Sequence, residues 1–267
     1  MLSRRTFALM PVALAAQGSR PGLIWVWCEG ENLPPGVRGE SVVFPRCYVA
    51  DARSDEARRA CETGKFSHAS NEGDATLGSI LKQAGIGYRE VSLAPDANAV
   101  ALLAGARNSI VVFTREAGQG SASEKSIHVP LAIWYPSVLK PGVADNLLVS
   151  QVDLMPTLAA LCGIAAPAEV QGRNLAPLLR GEAGEPPDSV FVEGNTWRAV
   201  IRGYQKLVTD LTGAPEHLYN VATDPDELND LARDPASRLT LDGLVALTQL
   251  WMRRLGDGLD PSGLKKR

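Results

Sequence analysis

The chain is 267 residues long, 45% hydrophobic and 21% charged, with 27 Lys and Arg against 30 Asp and Glu for a formal net charge of -3. That balance supplies a sizeable core and excludes a disordered chain, a basic nucleic-acid binder and a multi-span membrane protein. Its four cysteines (Cys28, Cys47, Cys61, Cys162) and three histidines (His68, His128, His217) form no close cluster, which argues against a zinc site of the usual spacing.

Residues 1–17, MLSRRTFALMPVALAAQ, read as an address. Arg4-Arg5 precedes an apolar run from Phe7 to Ala16, and Ala13-Leu14-Ala15 offers a small-x-small cleavage site. The run is too short to span a bilayer, so the expectation is twin-arginine export of a folded protein to the periplasm or medium, with no stable membrane anchor; an ordinary Sec signal or an uncleaved amphipathic start is the alternative. An oxidising compartment permits disulfides, and four cysteines allow three pairings among which the sequence does not choose.

In the mature chain, Leu23–Trp27, Ile110–Phe113 and Leu131–Trp134 are short apolar runs without alternation, the pattern of strands buried on both faces of a parallel sheet. Between them, Thr76–Ala84 carries Leu77, Ile80 and Leu81 at helical spacing and stops at Gly85. Asp153–Cys162 predicts a helix with Asp153 as its cap, Pro156 in its first turn and Gly163 at its end. After about residue 186 the pattern changes. Val190–Val192, Arg198–Ile201, Lys206–Val208 and His217–Val221 are short strands separated by turn residues. A helix follows, with Leu241, Leu244, Val245, Thr248, Met252 and Leu255 on one stripe and Gly256 at its end. The expected architecture is therefore α/β: a mostly parallel sheet flanked by helices over 18–185, then a small antiparallel sheet with one covering helix over 186–267. The tail from Asp257 to Arg267 receives no assignment.

Five segments in order resemble the sulfatases of the alkaline-phosphatase superfamily. Val129-Pro130-Leu131 with Trp134-Tyr135-Pro136 is similar to a family strand entering the sheet, and Asp153-Leu154-Met155-Pro156-Thr157 to a D-x-x-P-T helix start. Gln171-Gly172-Arg173-Asn174-Leu175 resembles a Q-G-R-S-L turn, and Arg202 to Leu207 an R-x-x-x-K-L strand pair. Glu216-His217-Leu218-Tyr219-Asn220, followed by Asp224-Pro225-Asp226-Glu227 and Asn229 to Ala232, is the most specific of the five. These are mostly turns, caps and core contacts, so they bear on fold more than on activity.

The resemblance implies a site as well. Family members use a formylglycine made from Cys or Ser in [Cys/Ser]-x-Pro-x-Arg, beside a divalent metal. Laying Phe44–His68 on that region, with Thr63-Gly64-Lys65-Phe66-Ser67-His68 at its end, puts Ser54 at the formylglycine position and Arg58 at the motif arginine, and leaves His68 as a candidate acid or base. Glu56 stands where Pro or Ala is expected. The family's Asp-Asp pair after the first strand is represented by Glu29-Gly30, and a later T-S-D-H/N-G by Thr114-Arg115-Glu116-Ala117-Gly118; Gln119 lies near a usual active-site lysine. Glu29 and Glu116 are the remaining candidates for a weak Ca²⁺ or Mg²⁺ site.

Each candidate has a plain alternative: Ser54 as a helix cap before Asp55 and Glu56, the two Glu as solvated or ion-paired loop residues, and His68 as a structural side chain. The expectation is a sulfatase-lineage hydrolase of sulfuric or phosphoric monoesters with weak or lost activity toward a small-molecule or glycan sulfate ester. The competing expectation is an exported non-catalytic binding or partner subunit, with a homo-oligomer left open.

Overall fold

The computed structural model describes residues 20–257, apart from 96, 107, 117–119 and 146. Residues 1–17, expected from sequence to be a targeting segment, Gln119 and the tail beyond Asp257 lie outside the described residues.

The main sheet has six strands in the order β4-β1-β5-β7-β2-β8. They are β1 (Gly22–Cys28), β2 (Val42–Val43), β4 (Tyr88–Leu93), β5 (Ser109–Thr114), β7 (Leu131–Trp134) and β8 (Gly142–Val143). Strand β1 runs parallel to both neighbours, with Trp25 opposite Glu90 on β4 and Val112 on β5. Strand β7 is antiparallel to β5 and β2, which corrects the parallel reading of Leu131–Trp134. The unbroken apolar run reports that both faces are covered; it carries no information on direction.

That double coverage is visible residue by residue. Leu23, Trp25, Trp27, Ile110, Val112, Leu131 and Ile133 face one core, shared with helices α2 (Ser54–Thr63), α3 (Leu77–Gln83) and α6 (Leu154–Leu161). Ile24, Val26, Cys28, Val111 and Phe113 face the other, against α1 (Val37–Glu40) and α4 (Ala99–Gly105). A three-stranded patch joins β3 (Cys47–Tyr48) to β6 (His128–Val129) and β9 (Val149–Ser150). Short helices α5 (Glu124–Ile127) and α7 (Ala176–Leu179) complete this part.

Local chemistry sets the helix boundaries. Thr76 accepts the Ser79 N–H while the Ser79 hydroxyl accepts the Thr76 N–H, a reciprocal cap on α3, and the chain leaves that helix through Gly85 in a left-handed conformation. At α6 the structure differs from the expectation. The Asp153 carboxylate does not cap the helix that follows it; it accepts backwards from the Ser150 N–H (3.0 Å), over a 3₁₀ turn, and forwards from the Arg173 N–H (2.7 Å) and guanidinium. Asp153 therefore joins the D-x-x-P-T and Q-G-R segments. Between them the backbones nearly touch, for a Cβ on Gly172 would lie 1.9 Å from the Val152 carbonyl oxygen.

The second sheet runs β10 (Ser189–Glu193), β11 (Trp197–Arg202), β12 (Gln205–Asp210), β13 (Pro215–Asn220), antiparallel throughout. Val190, Val192, Ala199, Ile201 and Val208 join the first core, while Val200, Leu207 and Leu218 pack on Leu241 and Leu244 of α8 (Arg238–Leu255). All four cysteines are free and buried, so none of the three pairings is made. Burial pushes the Cys28 and Cys162 thiols up to about 12, which leaves them inert as nucleophiles. Among the described residues, no helix is long and apolar enough to cross a membrane.

Candidate functional site

Helix α2 begins one residue earlier than the cap reading of Ser54 requires. Arg53 occupies the N-cap position in an extended conformation, and Ser54 is the first helical residue. The cause is Asp51. Its buried carboxylate accepts the Arg53 backbone N–H (2.8 Å), Nε (2.9 Å) and Nη2 (2.6 Å), which fixes Arg53 extended and starts the helix after it. Asp55 and Glu56 then occupy the first turn, so the positive end of the helix already has two carboxylates beside it.

One turn further on, Arg58 lies over the Trp27 ring, its Cζ 4.8 Å from the ring centre. Its guanidinium meets three carboxylates: Glu116 (3.1 Å), Glu62 (3.3 Å) and Glu90. Glu90 is fixed in turn by the Trp27 indole (2.9 Å) and the Tyr88 hydroxyl (2.8 Å). Partial burial would raise the Glu90 carboxyl, but these donors and Arg58 outweigh it and hold the group below its ordinary value. Glu62 moves the other way, raised by burial with Glu90 close by. Beside this cluster runs a cleft of about 340 Å³, bordered by Asp55, Glu62, Glu72 and Asp74 as well as Arg58 and Arg59. Its acids outnumber its bases.

Glu29 and Glu116 do follow neighbouring parallel strands, β1 and β5, at their carboxyl ends, where α/β sheets bind ligands. Glu116 is in contact with the Arg58 guanidinium, and Glu29 is exposed to solvent. A divalent cation needs six or more oxygen ligands, and here one of two candidate carboxylates already neutralises a fixed positive charge. The residues present fit a Ca²⁺ or Mg²⁺ ion poorly.

His68 is held in a different cluster. Its Nδ1 faces the Glu193 carboxylate and its Nε2 faces the Leu255 carbonyl oxygen at 3.0 Å. Burial would lower this imidazole; the Glu193 hydrogen bond and charge, with Leu255 and Asp257, reverse that and raise it. The Ser67 hydroxyl bridges Glu193 and Asp51, so the cluster reaches the start of α2. Ligand atoms of His68, Glu193 and Asp257 lie within 4.8 Å of one another, a spacing a metal could span. Both oxygens of Asp257 are taken by Arg198, and both His68 nitrogens face acceptors, so the three are arranged as ion pairs.

Sequence reasoning missed a second buried network. Lys206 is fully buried and donates to the Ala122 carbonyl oxygen (2.8 Å), with Glu227 and Glu124 as its counter-charges. Glu227 has a left-handed backbone, φ 57°, and accepts the Glu124 N–H (2.8 Å); the Tyr48 hydroxyl donates to Glu124 (2.9 Å). The lysine of R-x-x-x-K-L and the glutamate of D-P-x-E are thus partners. The sequence signal for Lys206 was a charge beside the apolar Leu207-Val208 of a strand, as with Asp51 between two alanines and Glu193 after Val190-Phe191-Val192; Glu227, in a polar loop, gave no such signal.

Comparison with known proteins agrees with this frame. Residues 121–249 match the family model described as N-sulphoglucosamine sulphohydrolase, C-terminal. A Delta 4,5-hexuronate-2-O-sulfatase of Bacteroides thetaiotaomicron is 33% identical over 153 residues, 48% of this chain and 31% of that protein. Human arylsulfatase A is 31% identical over 147 residues, 48% of this chain and 29% of that protein. The chain thus spans about a third of the length of the curated relatives it matches. Among solved structures, a 2-O GAG sulfatase superposes with a TM-score of 0.72 at 19% identity, covering 92% of this chain and 94% of that one. A phosphonate monoester hydrolase from Silicibacter pomeroyi gives 0.73 at 12% identity, covering 93% and 99%. Residues 121–249 thus match the C-terminal domain model of a sulfatase, and the chain shares its fold with solved sulfatases.

Proposed function

We infer that this protein keeps the sulfatase fold while its hydrolysis of sulfuric or phosphoric monoesters is weak or lost. The observation that carries this reading is the company of Arg58. Ester hydrolysis builds negative charge on the transferred group, and enzymes of this kind work by placing cations where that charge develops. Here the one motif cation is compensated by Glu62, Glu90 and Glu116, and the adjoining helix start carries Asp55 and Glu56. A sulfate ester at Ser54 would meet net repulsion. An unmodified serine hydroxyl is also a weak nucleophile without a base, and His68, the nearest candidate in sequence, is engaged by Glu193 and Leu255.

The similarity to a hexuronate sulfatase supports a glycan or small-molecule sulfate ester as the ligand class, and the Arg4-Arg5 segment supports an exported protein of the periplasm or medium. In this reading the exported domain acts through binding or through a partner. Intact-mass measurement of the exported protein tests the first requirement of catalysis. The reading expects the mass of an unmodified Ser54; a species lighter by a pair of hydrogens, mapped to the Ser54 peptide, overturns it.

A further inference from the structure

His68 presents each ring nitrogen to an acceptor. Nδ1 faces the carboxylate of Glu193, whose side chain is only 2% exposed, and Nε2 faces the main-chain oxygen of Leu255. A neutral imidazole carries one proton and can donate from one nitrogen; only the imidazolium donates from both. Leu255 ends α8, where the last carbonyl groups lack helical partners and concentrate the negative end of the helix dipole. A cation is favoured at that position on both counts.

We propose that His68 is a pH-operated latch: when protonated it fastens the C-terminal end of α8 to Glu193 of β10 and to its own 3₁₀ turn after α2, and when it loses its proton that helix end is released. The Leu255 contact is the one that yields. Glu193 has no access to water in exchange for His68, whereas the Leu255 carbonyl lies at the exposed edge and can turn to solvent.

The charged groups around the ring are consistent with this assignment. From β10 comes Glu193, which also accepts from the Ser67 hydroxyl. From the residue after α8 comes Asp257, held by Arg198 of β11 at 2.5 and 2.9 Å. From the approach to α2 come Asp51 and Arg53, an ion pair joined to Glu193 through Ser67. Phe66 stacks on the ring at 6.4 Å and covers it on one side. With His68 protonated, three cations balance three anions. Without that proton the cluster holds one uncompensated negative charge, and the segment Asp51–Arg53 that positions Ser54 shares it. The net upward displacement of the His68 pKa points the same way.

An NMR pH titration of the full exported chain tests the latch, following the imidazole Cε1–H signals together with the backbone amides of Leu255 and Gly256. His68 is expected to titrate above the ordinary value of about 6.5. The two amides are expected to shift with the same midpoint, and in His68→Gln they should no longer respond. Replacing the counter-charge, Glu193→Gln, should move the His68 midpoint down. A His68 midpoint at or below the ordinary value overturns the proposal, as do amides that titrate unchanged in His68→Gln. If Glu193→Gln does not fold, the wild-type co-titration and the His68→Gln comparison still decide, since both are read on folded protein.

Discussion

At the scale of single residues, charged side chains act as ties between elements of the fold. The Arg58 guanidinium, expected from the sequence resemblance to be the motif arginine, is a structural tie between α2, β4 and the loop after β5. Lys206 is a clearer case, because it is fully buried among Glu124, Glu227 and the Ala122 carbonyl. Replacing it by methionine preserves volume and leaves two largely buried carboxylates without their cation. Breaking a buried pair in this way costs about 3–5 kcal/mol, so Lys206→Met should show a corresponding loss in urea unfolding. A loss under about 1 kcal/mol would mean that water or rearrangement solvates the two glutamates. Releasing Arg58 is a milder experiment. Because its side chain is 40% exposed, Glu116→Gln should leave stability within about 1 kcal/mol, which chemical denaturation measures directly.

At the scale of elements, the strands and helices were readable wherever periodicity and end signals agreed. Leu77, Ile80 and Leu81 between Thr76 and Gly85 define α3, and the stripe from Leu241 to Leu255 defines most of α8. The direction of Leu131–Trp134 was not readable, because burial on both faces looks the same in parallel and antiparallel neighbours. The start of α2 was misplaced for a different reason: Asp51, three residues upstream of Ser54, sets the cap through its side chain, and the local pattern Ser-Asp-Glu looks complete without it. Asp51, Glu193, Arg198 and Asp257 escaped notice because they come together only through the tertiary fold. By contrast, the Q-G-R segment was visible in sequence, and the structure supplies its reason. At Gly172 any side chain meets the Val152 carbonyl, so Gly172→Ala should destabilise by about 4 kcal/mol or more, or abolish soluble folding. Thermal melting of that variant near the wild-type midpoint would show that the two segments are not tightly apposed.

At the scale of the whole molecule, two buried charge networks join the second sheet and α8 to the main sheet's loops, one through Lys206 and one through His68. The second makes stability depend on pH with a definite sign. The folded value of His68 is raised, so its contribution is fully present below the unfolded value of about 6.5 and is lost as pH rises through the folded value. The stability difference between wild type and His68→Gln, from urea midpoints, should therefore shrink as pH rises through that window; a constant difference would contradict the assignment. The same global arrangement places Ser54 between Asp51–Arg53 on one side and the Arg58 carboxylates on the other, and this is where the account of lost hydrolysis is most exposed to test. The direct measurement is the turnover of an aryl sulfate by the purified protein, with Ca²⁺ or Mg²⁺ present and absent, set beside Ser54→Ala. The account predicts indistinguishable rates for the two proteins under both conditions. A metal-dependent rate well above the Ser54→Ala background would contradict it.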